Sequence, residues 1–195
     1  MKRKKIKIKV AQKILNTAFN CLSTRGYAAV TMRNIAHEAG VALGQVTYYY
    51  KSKEHLFLEV INMMVYQYLE EIETKLAAVT DESQKLPALK AFFEDLIQNN
   101  PNLFKLFIDF TAQSLWIPSF REKVNSLFEE LAKIIESNLI LDKTKEKHIS
   151  SDSSKNTAKL ILGALYGTSI QHMLGSDTSI SFEPMKIDKA SGFVI

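Results

Sequence analysis

Residues 31–53, TMRNIAHEAGVALGQVTYYYKSK, concentrate the side chains whose types and spacing suit chemistry. The chemistry they suit is hydrogen bonding to a polyanion rather than bond breaking. Val46 and Tyr50 are i,i+4 partners and are expected to face inward, which leaves Gln45, Thr47, Tyr48 and Tyr49 outside. A glutamine side chain can pair bidentately with adenine N6 and N7 in a major groove. Catalytic groups are missing from the pattern. There is no GxSxG, no phosphate-binding glycine loop and no HExxH. His37, His55, His148 and His172 are scattered, so neither an enzyme nor a metal or cofactor site is expected. Cys21, the single cysteine, excludes an internal disulfide and reads as a small core residue in a reducing compartment.

The elements that must hold those side chains follow from local signals. Thr31 is a plausible cap for a short helix from Met32, whose inner face is Ile35, Ala36 and Ala39. Gly40 permits a tight turn, and a second short helix covers residues 43–50. Together they have the layout of a helix-turn-helix. An earlier helix over residues 8–24 carries Val10, Ile14, Ala18 and Leu22 as an apolar stripe and ends at Gly26. After the motif, Ser52 caps a long helix over residues 53–79, and Glu54 suits its positive end.

Charge is distributed in step with this. Residues 1–54 hold eleven Lys and Arg against Glu38 and Glu54, a net of +9, while the remainder nets −5. A basic footprint confined to one segment is what phosphate contact needs. The other reading of Lys2 to Lys9 is a solvated tail.

The remainder reads as helices. Residues 80–84 form a loop, Pro87 opens a helix near its first turn, and Asn99-Asn100-Pro101 stops one helix and starts the next. Pro118 interrupts again, with Ser119 capping a helix to about Leu141. Residues 142–155 read as a loop, 156–174 as a helix, and the tail after Leu174 as irregular. The expected fold is all-α, with a DNA-binding head at 1–52 and a helical ligand-binding and dimerisation body at 53–195. The opening MKRKKIKIKV lacks the apolar run of a signal peptide, and no apolar stretch is long enough to span a membrane, so a cytoplasmic location is expected.

Gly26-Tyr27, Thr31 to Ala36, Ala39-Gly40-Val41, Gly44, Tyr48-Tyr49-Tyr50 and Lys51 to Leu56 together resemble the TetR family of bacterial transcriptional regulators. That resemblance covers about the first third of the chain. It implies a homodimer with three-helix DNA-binding heads and a body that holds an effector pocket. It also implies repression of transcription from a palindromic double-stranded DNA operator, relieved by a small molecule. By position, Thr31 and Arg33 would approach backbone or base edges, and Gly44 would let its helix come close to phosphate. Gln45, Thr47 and Tyr48 would face the groove, and Tyr49 and Lys53 would contact phosphates. The chain departs from the family at Ala42-Leu43, where a polar or basic pair is common, and at Thr47, where an aromatic is common. Both departures shift the readout toward Gln45. The rival from another class is an all-α ligand-binding or protein-interaction module whose basic head does not read DNA.

Within the body, Met64, Tyr68, Phe104, Phe107, Phe110 and Trp116 are candidates for an apolar effector pocket, which would suit an apolar or aromatic ligand. In the last helix, Gly163 and Gly167 form a GxxxG beside Ile170 and Leu174, a candidate dimer interface because small residues let helices approach closely.

Overall fold

A computed structural model describes residues 2–140, 151–175 and 181–182, with side chains from 7 to 139 and from 154 onward within that set. The described residues are helical apart from short connections: α1 (Lys2–Ala29), α2 (Met32–Glu38), α3 (Leu43–Tyr49), α4 (Lys53–Ala77), α5 (Glu82–Asn99), α6 (Pro101–Ser114), α7 (Pro118–Ile135), a π-helical turn (Glu136–Ile140) and α8 (Ser151–Leu174). No helix among them is long and apolar enough to cross a membrane.

The chain forms two compact units, Met1–Tyr66 with Asn102–Asn125, and Gln67–Pro101 with Ser126–Ile195. Compactness thus divides the chain differently from composition, which suggests a boundary at 52. In the first unit α1, α2 and α3 pack on one another. Ile14, Ala18 and Leu22 of α1 are buried with Ile35, Ala36 and Val46, as a four-residue apolar period requires. Helix α6 contributes Phe104, Leu106 and Phe110 to the buried residues of this unit, and α7 contributes Phe120. In the second unit α5 packs on α8 and on the π-helical turn.

Several boundaries differ from the sequence reading. Helix α1 starts at Lys2 rather than Ile8, since the lysine and isoleucine run holds no helix breaker. Gly26 interrupts α1 rather than ending it. Its φ of 76° and ψ of 169° are open to glycine alone, and a short helical stretch resumes to Ala29. Helix α5 starts at Glu82 because the Asp81 carboxylate accepts the Ser83 N–H (2.9 Å). Pro87 therefore lies inside that helix, where it forgoes one backbone bond to the exposed first turn. Pro118 is itself the first residue of α7, and Ser119 does not cap it; its hydroxyl donates to the Glu54 carboxylate. Past Ile135 the helix widens where Asn138 Nδ2 (2.9 Å) and Ser137 Oγ (3.2 Å) both donate to the Ile134 carbonyl.

Helix α8 begins at Ser151, so residues 151–155 are helical rather than loop. Ser154 Oγ bonds Glu136 (2.5 Å), while Lys155 (3.2 Å) and Lys159 (2.6 Å) both bridge Glu129 of α7. The rest of the expected loop, and the expected end of the preceding helix at Leu141, lie outside the described residues. In the tail, Ser181 and Phe182 have no regular structure. Phe182 is nonetheless buried and its N–H donates to Glu94 Oε1 (3.0 Å).

Candidate nucleic-acid interface

Two local devices fix the helix-turn-helix. At the start of α2, Thr31 Oγ1 accepts the Asn34 N–H (3.2 Å) and Asn34 Oδ1 accepts the Thr31 N–H (3.1 Å). This reciprocal box satisfies two backbone donors that a helix start leaves open. At the turn, Gly40 takes φ 60°, its N–H bonds the His37 carbonyl (3.1 Å), and Val41 N–H bonds Ala36 (3.0 Å).

Helix α3 is anchored from within. Val46 is fully buried, and Tyr50 is buried with its hydroxyl donating to the Ala11 carbonyl of α1 (3.0 Å). Burial pushes the Tyr50 phenol above its ordinary range, which keeps it a donor. That anchoring leaves Gln45, Thr47 and Tyr48 exposed and Tyr49 half-exposed, with Thr31, Arg33, Ala42, Leu43 and Gly44 exposed on the same motif. A Cβ added at Gly44 would meet nothing within 4 Å, so no internal neighbour requires this glycine.

The exposed side chains are already partly engaged. Gln45 Oε1 accepts the Ala42 N–H (3.2 Å), the return arm of a capping box whose forward arm Ala42 cannot make. Bidentate pairing with adenine therefore requires Gln45 to release its own helix start. The Thr47 hydroxyl donates back to Leu43 and Gly44 carbonyls (3.2 Å each), leaving its methyl and oxygen lone pairs outward. Tyr48, 66% exposed, stands edge-to-face with Tyr49 (5.1 Å, 83°).

Lys7 joins this surface, though no single lysine of the basic run stands out in the sequence. Its Nζ donates to Tyr48 Oη (3.1 Å), a bond that raises the lysine pKa and keeps its charge beside α3. Lys53 faces elsewhere. Its Nζ donates to the Tyr27 carbonyl (2.7 Å) and lies 4.2 Å over the Tyr27 ring, and burial pushes its pKa down. Glu38, one of the two acids of the basic segment, is paired to Arg25 (2.5 Å) and accepts the Cys21 thiol (3.1 Å). The Cys21 bond and the Arg25 bond both hold the Glu38 carboxyl below its usual range. Burial, then the Glu38 bond, pushes the Cys21 thiol up to about 11, so it is a core thiol and not a nucleophile. No group of three or more His, Cys, Asp or Glu among the described residues could hold a metal ion.

This geometry has known counterparts. Residues 14–60 match the family model for bacterial regulatory proteins of the tetR family. Over those residues the head is similar to the tetR family. A curated relative, the "Probable HTH-type transcriptional regulator YttP" of Bacillus subtilis, is 24% identical over 104 residues, 53% of this chain and 50% of the relative. The chain thus spans about half the length of that relative. Among solved structures, a TetR transcription regulator from Haloarcula marismortui superposes with a TM-score of 0.74 at 20% identity, covering 87% of this chain and 89% of that one. The regulator FadR from Bacillus subtilis in complex with stearoyl-CoA gives 0.69 at 19% identity, covering 84% and 87%. The TetR-type fold therefore extends beyond the head.

The other candidate residues are dispersed. Met64, Phe104 and Phe110 are buried and Phe107 half-buried in the first unit, while Tyr68 belongs to the second. Phe110 packs edge-on against Phe120 (5.8 Å), and Tyr68 against Phe92 (6.2 Å). Tyr68 Oη is buried without a hydrogen-bond partner among the described residues, and burial pushes its pKa up. Trp116 is 82% exposed. On α8, Cβ atoms at Gly163 and Gly167 would meet nothing within 4 Å, and Leu174 is 83% exposed.

Proposed function

We propose that this chain is a transcriptional repressor that binds a palindromic double-stranded operator as a homodimer and is released by a small apolar or aromatic effector. The observation that carries the reading is the outward face of α3. Gln45, Thr47 and Tyr48 are presented together because Val46 and Tyr50 are fixed inside. Arg33, Gly44, Tyr49 and the Thr31 start of α2 complete the surface, and Lys7 adds a cation to it. The +9 charge of residues 1–54 supplies the salt-sensitive attraction to phosphate.

Dimerisation is supported by α8. Leu160, Gly163, Gly167, Ile170 and Leu174 recur at helical spacing, and among the described residues nothing lies within 4 Å of a Cβ added at either glycine. Two copies joined about a twofold axis suit a palindromic operator, whose half-sites lie about one DNA turn, roughly 34 Å, apart. Effector binding is supported, within the second unit, by the buried Tyr68 hydroxyl, which has no hydrogen-bond partner among the described residues, and, separately within the first unit, by the apolar side chains of Met64, Phe104, Phe107 and Phe110. Trp116 leaves that set, because its ring lies on the surface. An effector that favours a head spacing unsuited to the operator weakens DNA binding, and DNA weakens effector binding by the same factor. Transcription in vitro from the promoter upstream of the coding sequence tests the repressor assignment. Added protein should lower transcript yield, and an increase would make the protein an activator.

A further inference from the structure

The break at Gly26 places the Tyr27 peptide where three helices of the first unit meet. Asp109 of α6 accepts the Tyr27 N–H through Oδ2 at 2.5 Å. Lys53, the first residue of α4, donates to the Tyr27 carbonyl at 2.7 Å. Both backbone groups of one residue are thus held by charged side chains, which make stronger hydrogen bonds than neutral ones. The Tyr27 ring is fixed as well, edge-on to Phe57 (5.0 Å) and Phe120 (5.5 Å), with the Lys53 ammonium over its face. Gly26 serves the arrangement twice. It supplies a φ of 76°, and its missing Cβ leaves room for the carboxylate, since a Cβ there would lie 3.3 Å from Asp109 Oδ2. Gln113 Nε2 steadies the other carboxylate oxygen (3.3 Å).

Helix α1 is tied to α3 at its other end. Tyr50 Oη bonds the Ala11 carbonyl and Lys7 bonds Tyr48. From Ala11 to Tyr27 is sixteen residues, about 24 Å of helix at 1.5 Å per residue. A 5° swing at the Tyr27 end would displace the Ala11 end by about 2 Å, more than a base-edge hydrogen bond tolerates.

We propose that Asp109 and Lys53 are positioning residues for DNA binding, which act by clamping the backbone N–H and C=O of Tyr27 and so fixing the direction in which α1 holds α3. Asp109 lies outside the residues 14–60 that match the DNA-binding family model. Lys53 works in this clamp and not as a phosphate ligand. The inference rests on the DNA-binding reading of the head.

Simple electrostatics and the clamp make opposite forecasts. Removing an acid from a DNA-binding protein strengthens its attraction to phosphate. Loss of the clamp weakens binding. The test uses the full chain and a fluorescein-labelled duplex of its own upstream region, by anisotropy at two salt concentrations. Asp109→Ala should bind about tenfold more weakly than wild type. Asp109→Asn, which keeps an acceptor for the Tyr27 N–H, should recover part of that loss. Lys53→Met should weaken binding while leaving the dependence of log K on log salt unchanged. Hydrogen exchange of the Tyr27 amide, measured without DNA, should speed up in Asp109→Ala. Equal or tighter DNA binding by Asp109→Ala overturns the proposal. So does an unchanged Tyr27 exchange rate, or a salt slope reduced by about 0.9 in Lys53→Met, the mark of one lost phosphate contact. If wild type binds no duplex, the DNA reading itself fails and takes the positioning role with it. The amide measurement still decides separately whether the clamp exists.

Discussion

Replacing Ala42 with serine should stabilise this protein, although most substitutions do the reverse. Ala42 sits at the cap position of α3 with extended backbone (φ −67°, ψ 144°), the geometry in which Ser, Thr, Asp and Asn are preferred. Half of the motif is already in place, because Gln45 Oε1 accepts the Ala42 N–H. A serine hydroxyl would supply the missing half by accepting the N–H of Gly44 or Gln45. Ala42 is exposed, so the hydroxyl enters without desolvation cost. Capping differences between alanine and serine are about 1 kcal/mol. For a chain of this size that corresponds to roughly 2–4 °C in melting temperature. The assay is thermal unfolding followed by circular dichroism, with both proteins at one concentration because the proposed dimerisation would make the midpoint concentration-dependent. A midpoint unchanged or lowered would refute the reasoning and would mean that Gln45 alone satisfies the start of α3.

Three further outcomes follow from the same contacts. Gly26→Ala should destabilise the fold by about 1–2 kcal/mol in urea unfolding, since alanine must adopt positive φ and crowd Asp109; unchanged stability would mean that the break relaxes freely. Cys21 should react with a thiol reagent at pH 8 about a hundredfold more slowly than an ordinary thiol of pKa 9.0, because its pKa of about 11 leaves a hundredfold less thiolate. The raised pKa also fixes the sign of its pH effect. Its contribution to stability is full below pH 9 and fades as pH rises toward 11, and native reactivity equal to that of the unfolded chain would contradict both statements. Gly167→Leu should shift sedimentation from dimer to monomer at micromolar concentration, and an unchanged dimer would place the interface elsewhere.

What the sequence made legible was local. Thr31 before Met32, Gly40 between two short helices, the Val46 and Tyr50 pair, and Ser52 as a cap each depend on residues within four positions, where helix geometry fixes the partners. Ser52 Oγ does accept the His55 N–H (3.0 Å), and Gly40 does take positive φ. What escaped depends on distant partners. Lys7 meets Tyr48 across 41 positions, and Asp109 meets Tyr27 across 82. Phe182 is held by Glu94 across 88. No periodicity in a single sequence reports such pairings. Trp116 shows the converse limit. Its apolar neighbourhood along the chain suggested a buried site, yet it falls in the turn between α6 and α7 and points outward. Lys53 was legible as a helix start but not as a clamp, because its partner is a backbone carbonyl and every residue has one.

The central claim is that the outward face of α3 reads a DNA sequence. Binding of the purified chain to its own upstream DNA, against scrambled DNA of equal length at two salt concentrations, tests it most directly. Tight binding to the upstream DNA alone, weakening steeply with salt, is the result this account predicts. Equal and weak binding to both DNAs would contradict it, leaving the basic head a purely electrostatic surface.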